Sequence, residues 1–186
     1  GSRGVWEVGS GTGQMRVCVP RAGSRGYGSR VNAMGVVAYG RGETPTLADG
    51  VILLKTEVAT VGGITSEARN VISGNFRHGI FVFDQVALPT HGNTVQGNYI
   101  GTDLTGTLPL PNYRGVDIAG GAQNNVVGGT ADGARNLLSG NSGEGVVLEG
   151  AGTSGNRVEG NYIGTDVTGA GTVPNTSRGL TTPGTA

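Results

Sequence analysis

The chain has 186 residues, of which 38 are glycine and one, Lys55, is lysine. Glycine is among the poorest helix formers and Glu–Lys pairing along a helix is nearly absent, which excludes a helix bundle, a coiled coil and a doubly wound α/β fold. The glycines do not fall at every third position, the formal net charge is zero, and no apolar run nears the roughly 20 residues of a membrane-spanning helix, so collagen and a helical membrane span are excluded too.

Residues 1–44 carry six arginines, Arg3, Arg16, Arg21, Arg25, Arg30 and Arg41, against two acids, Glu7 and Glu43. They are scattered among glycine and serine without interleaved aromatics, so no nucleic-acid partner is expected. The single cysteine, Cys18, allows no internal disulfide. The opening Gly-Ser-Arg-Gly lacks the ordered basic and apolar regions of a signal peptide. The expectation is an irregular N-terminal cap or non-repeat segment over 1–44. Gly-Val-Val-Ala-Tyr (35–39) and Gly-Val-Ile-Leu-Leu (50–54) suggest one degenerate coil across 31–58.

From about residue 45 the chain repeats itself. Arg-Asn-Val-Ile-Ser-Gly-Asn (69–75) returns as Arg-Asn-Leu-Leu-Ser-Gly-Asn (135–141), and Asn-Tyr-Ile-Gly-Thr-Asp occurs at 98–103 and 161–166. Each long period divides into two halves, and each half holds three short apolar segments bounded by glycine or asparagine. Segments this short suit strands and not helices. Three strands per turn, repeated turn on turn, describe a parallel β-helix over 45–186, with coils about 4.8 Å apart. Two columns of asparagine are expected to stack as ladders: Asn70, Asn98, Asn136 and Asn161, and Asn93, Asn125 and Asn156. Three core columns follow. They are Val61, Val95, Val127 and Val158; Ile72, Ile100, Leu138 and Ile163; and Val51, Ile80, Val116 and Val146. An uncapped end would leave a sheet edge for pairing, so a homo-oligomer through that edge is expected.

The pattern Asn-x-Ile-x-Gly-Asn followed by Gly-Ile-x-Ile resembles the repeats of the pectate-lyase-like superfamily. More narrowly, Asn-Tyr-Ile-Gly-Thr-Asp and Ala-Arg-Asn-x-Ile-Ser-Gly-Asn are similar to the repeats of bacterial secreted or surface proteins. The resemblance implies an all-β, right-handed parallel β-helix of about four to five coils. It also implies an extracellular or cell-surface location and a polysaccharide or oligosaccharide partner held on the outer face. The Asn-Thr-Asp, Asp-Asp, Gly-His-Gly and Arg-Ile-Lys motifs of polygalacturonases do not occur in this sequence, and no clear calcium-binding acid set of a pectate lyase is seen.

Function must therefore come from outward-facing positions. Along the third strand of successive coils these are Ile52, Phe81, Asp117 and Val147, then Leu54, Phe83, Ala119 and Glu149. Asp117 and Glu149 are placed roughly 8 Å apart on one face, within the roughly 6.5–9.5 Å of an inverting glycosidase pair. In that expectation they are the catalytic acid and base. Phe81 and Phe83 form a platform for a sugar face, with Asp84, His78 and Arg77 completing the substrate-binding set. Asp103 and Asp166 are expected to cap the Thr-Asp-x-Thr-Gly turns. No metal or cofactor is expected, with calcium at these turns as the alternative. The functional expectation is a secreted glycoside hydrolase. The alternatives are a non-catalytic carbohydrate-binding or structural surface module, and a polysaccharide lyase.

Overall fold

The computed structural model describes residues 15–19, 27–32, 36–38, 49–54, 57–84 and 90–182, the first three stretches as backbone only. Most of the segment 1–44 lies outside the described residues. Glycine and asparagine cut the chain into strands of two to six residues. In order they are β1 (Met15–Val19), β2 (Tyr27–Asn32), β3 (Val36–Ala38), β4 (Val51–Leu54), β5 (Thr60–Gly62), β6 (Val71–Ile72), β7 (His78–Phe83) and β8 (Thr94–Gln96). They continue as β9 (Tyr99–Ile100), β10 (Arg114–Ala119), β11 (Val126–Gly128), β12 (Leu137–Leu138), β13 (Val146–Leu148), β14 (Arg157–Glu159), β15 (Tyr162–Ile163) and β16 (Leu180–Thr181).

The strands stack into three sheets. Parallel pairing runs β5-β8-β11-β14, β6-β9-β12-β15 and β4-β7-β10-β13-β16. Four complete coils, preceded by β4, make a parallel β-helix. All three expected core columns are in register. Val95 pairs with Val61 and Val127, Ile100 with Ile72 and Leu138, and Ile80 with Val51 and Val116. These side chains are buried, and they form one continuous core.

The degenerate coil is half right. Residues 51–54 do join the stack, parallel to β7. Residues 36–38 do not, because β3 runs antiparallel to β4. Likewise β2 lies antiparallel to β5 and β1 antiparallel to β2.

Both expected asparagine ladders form, and the structure adds a third. In the first, each Nδ2 donates to the Oδ1 of the next coil's asparagine: Asn70 to Asn98 at 2.8 Å, Asn98 to Asn136 at 3.1 Å and Asn136 to Asn161 at 2.9 Å. The second joins Asn93, Asn125 and Asn156, each step at 2.9 Å. The third joins Asn75, Asn112, Asn141 and Asn175. Each acceptor Oδ1 also takes the backbone N–H of the same donor residue. A further Nδ2–H goes inward to a backbone carbonyl of the preceding coil, as from Asn98 to Val61, Asn112 to Ile72 and Asn136 to Val95. A buried amide is thereby satisfied on both of its ends.

Glycine is required where coils touch most closely. A Cβ on Gly115 would lie 2.3 Å from the carbonyl oxygen of Gly145 in the next coil. Loops leave the stack at two corners. In the longer ones Asp103 accepts from Thr105 and from the backbone N–H of Thr107 and Leu108, while Asp166 accepts from Thr168, so both aspartates cap their turns as expected. Arg69 and Arg135 lie over the rings of Tyr99 and Tyr162, at 4.4 and 4.1 Å, and cover equivalent corners two coils apart.

The ladder gives a graded stability prediction. Asn98→Ala, fully buried in mid-ladder, strands two donors and an acceptor and is expected to cost about 3 kcal/mol. Asn156→Ala, half-buried at a ladder end where water can substitute, is expected to cost about 1 kcal/mol. Urea unfolding of the two variants checks the order; equal losses would remove the ladder's role in stability.

Candidate functional site

In the β4-β7-β10-β13-β16 sheet, every strand begins with the same step, one polar residue and then a glycine, and from β7 onward that glycine's carbonyl faces the preceding coil. That step aligns Asp49, His78, Arg114, Glu144 and Arg178 as one column. It sets acidic Asp49 and Glu144 beside basic His78, Arg114 and Arg178 on neighbouring coils, close to the outward column that contains Phe81, Asp117 and Val147.

Arg114 is the hub. Its Nη1 lies 2.6 Å from Asp117 Oδ2 and 2.9 Å from Glu149 Oε1, and its Nε donates to Glu144 Oε2 at 3.2 Å. His78 lies on the other side of Asp117, with Nε2 3.3 Å from the same Oδ2. Its Nδ1 comes within 2.7 Å of Asp49 Oδ1, though too bent to form a hydrogen bond. Asp49 is fixed instead by the backbone N–H of His78, and Arg77 approaches it at 3.9 Å.

The expected acid pair is therefore brought together, but not as expected. Asp117 does occupy the outward face, yet it is 1 % exposed, so the expectation of a solvent-facing carboxylate there is corrected. The Glu149 side chain is 47 % exposed. Both carboxylates share one guanidinium nitrogen, so their nearest oxygens are closer together than the roughly 6.5 Å at which an inverting pair admits water. The spacing instead falls within reach of the roughly 5–5.5 Å of a retaining pair.

Environment separates the acids. Burial pushes the Asp117 carboxyl above its ordinary value, and repulsion from Glu149 adds to this, against the opposing pull of Arg114 and His78. Its second oxygen, Oδ1, is buried without a hydrogen-bond partner, so a proton there displaces no bond. Burial acts on Asp49 in the same direction, but the His78 ring beside it, the His78 backbone N–H and the Arg77 charge outweigh it and hold that carboxyl below its ordinary value. Burial works against the Arg114 charge, and its bonds to Asp117 and Glu149 more than compensate.

The remaining expected residues divide. The His78 ring meets Phe81 at a tilt of 33° with centroids 4.8 Å apart, and Phe81 stacks on Phe83 at 5.2 Å, so the three form one aromatic row beside the charges. Asp84 lies past the end of β7, against the Gly120–Gly121 turn and outside the Arg114 network. Arg77 reaches from Asp49 into a neighbouring groove of about 680 Å³, lined also by Phe76, Leu110, Pro111, Tyr113 and Ser142. Phe76 and Tyr113, from adjacent coils, are 57 % and 51 % exposed there. Among the described residues, no group of three His, Cys, Asp or Glu side chains converges as a metal site would.

Sequence reasoning missed Asp49, Arg114 and Glu144 in this network, and Phe76 and Tyr113 in the groove. The signal was present: three of these residues directly precede the glycine that opens a strand. No known protein family, curated protein or solved structure matches the chain.

The two buried aspartates should respond to pH in opposite senses. Asp117 titrates higher folded than unfolded, so its contribution is fully present below the ordinary carboxylate range and is lost as pH rises through its folded value. Asp49 titrates lower folded, so its contribution is present above that range and is lost as pH falls through its folded value. Relative to the parent, Asp117→Asn should therefore gain stability as pH rises above the ordinary carboxylate range, and Asp49→Asn should lose it as pH rises into that range from below. Chemical denaturation across that range checks both slopes; parallel profiles would rule out the assignment.

Proposed function

We propose that this solenoid is an extracellular carbohydrate-binding module of the pectate-lyase-like kind, holding glycan on the outer face around Arg114 and in the adjoining groove without cleaving it. One observation carries the non-catalytic part: a single Arg114 nitrogen is bonded to both candidate carboxylates. A hydrolase needs one acid to protonate the glycosidic oxygen and the other to attack or to activate water. Here both are bonded to the same cation, which lies between them. Support for a sugar ligand comes from the exposed rings of Phe76 and Tyr113 beside Arg77 and Ser142, because flat apolar rings with polar groups at their rim suit the two-sided character of a pyranose. The extracellular location and the superfamily rest on the repeat motifs.

Hydrolysis is the second reading, and it has its own support. A buried carboxyl with a raised pKa beside an exposed one is the asymmetry that separates a general acid from a nucleophile. It requires Arg114 to swing aside when substrate binds. A lyase would require a basic group, Arg77 or His78, free to take the proton beside a sugar carboxylate.

Calorimetric titration with a panel of neutral and acidic oligosaccharides is expected to find a binder. Phe76→Ala and Tyr113→Ala should each weaken it about fivefold, in line with ~1 kcal/mol per aromatic contact. No binding across the panel would sink the carbohydrate assignment. Release of reducing ends by the parent, abolished by Asp117→Asn or Glu149→Gln, would replace binding with hydrolysis. An unsaturated, ultraviolet-absorbing product would indicate elimination.

A further inference from the structure

The carboxylates around Arg114 are graded from buried to exposed. Asp117 is buried between Phe81 and Val147, whereas the Glu144 and Glu149 side chains are 20 % and 47 % exposed. Arg114 joins all three, and its shortest contact, 2.6 Å, goes to the buried one. The backbone beneath it is fixed, because the N–H groups of Gly115 and Val116 donate to the carbonyls of Glu144 and Gly145, each at 2.9 Å. Any movement of Arg114 is therefore one of its side chain.

Asp117 is the anchor that a proton can neutralise without breaking a bond. Its Oδ2 carries the contacts to Arg114 and His78, and the buried Oδ1 carries none. A neutral carboxyl also costs less than a carboxylate in that position. The groups facing Asp117 are Arg114 on its own strand, His78 on β7 and Glu149 after β13. Behind them stand Asp49 and Arg77 beside His78, Glu144 beside Arg114, and Arg178 on the coil after Glu144. Burial raises the Asp117 carboxyl above its ordinary value, with Glu149 adding to the effect.

Neutralising Asp117 leaves Arg114 with Glu144 and Glu149, and both lie nearer to solvent. The guanidinium is then drawn outward. Its path leads toward Tyr113, whose ring centroid already lies 5.7 Å from the guanidinium carbon and which lines the groove with Phe76. Attraction between the cation and the ring face favours that position. A proton taken from water by Asp117 thus moves a cation from the buried column to the outer face. The N–H that served Asp117 becomes available to a ligand.

We propose that Asp117 and Arg114 form a side-chain latch: charged Asp117 holds Arg114 inward, and protonated Asp117 releases it to the groove, where it strengthens the hold on glycan. The release stands on the geometry alone, and its effect on glycan rests on the carbohydrate-binding reading. NMR of the full chain tests the release. As the parent is acidified, nuclear Overhauser contacts between Arg114 and the Tyr113 ring should grow in step with the titration of the Asp117 carboxyl carbon. At neutral pH, Asp117→Asn should already show those contacts, and its Arg114 guanidinium protons should exchange with water roughly tenfold faster than the parent's, the loss of one charge-assisted bond. Contacts that do not follow the Asp117 titration would overturn the proposal. So would a pH transition of Arg114 that persists in Asp117→Asn, since control would then lie with His78, Glu144 or Glu149. Calorimetry with neutral gluco- and xylo-oligosaccharides, which do not titrate themselves, tests the effect on glycan. Affinity should rise about tenfold as the parent is acidified through the Asp117 transition, equivalent to one charge-assisted bond gained, and should be independent of pH in Asp117→Asn. Measurable binding with the same affinity on both sides of the transition would overturn the proposal. No binding at any pH would sink the carbohydrate reading instead, with the NMR result still deciding the latch.

Discussion

The amide side chain of asparagine both donates and accepts along the solenoid axis while lying inside a corner. Every coil boundary depends on it. The strands are only two to six residues long, too short to fix their own register through backbone pairing alone. Eight inter-coil steps bonded through Asn Oδ1 set that register from the corners, and each step ties the side chain and the backbone of one coil to a single oxygen of the next. The glycines serve the same contacts: at Gly115 and its equivalents, any Cβ would hold the coils apart. The unusual glycine content is thus a consequence of close corner packing, and the thin apolar core fills what the corners define.

Register propagates directly to the outer surface. Once Val116 stands over Ile80 and under Val146, Arg114 must stand over His78, and Asp117 must lie between Phe81 and Val147. The charged network is then a geometric result of five strands opening with a polar residue before glycine. A buried ion pair of this kind is weak evidence for net stability, because desolvation offsets most of the attraction. Its clearer effect is on charge state: the same burial raises the Asp117 carboxyl, while Asp49, one column away and bonded by the His78 backbone, is lowered.

The fold was legible in the sequence because a solenoid writes each contact at a fixed chain separation. The core columns and two ladders could be read from recurring valine, isoleucine and asparagine. The third ladder was harder to see. Asn75 and Asn141 follow Ser-Gly, but Asn112 and Asn175 follow proline at the far end of an inserted loop, so the offset changes between coils. The site was legible only in part. Alternation along a strand placed Asp117 and Glu149 on one face, but it says nothing of long side chains arriving from the strand's own start. Arg114 reaches three residues forward to cover Asp117, and that turned an expected open acid pair into a cation-bridged one. The antiparallel course of β3 was not legible, since Val36–Ala38 reads like any other apolar strand.

The two ends of the stack follow from the directionality of the ladders. A ladder step always sends N–H groups forward and presents Oδ1 backward, so the stack has a polarity that the sheets alone, with donors and acceptors on both edges, do not have. At the early end, antiparallel β2 and β3 can cover β5 and β4, because a sheet edge accepts either strand direction. An antiparallel strand can pair with a sheet edge but cannot present Oδ1 atoms to all three ladders at once, as a coil of the same repeat does. The sequence constraint that stiffens each coil boundary is therefore also what fixes the sense in which the coils stack.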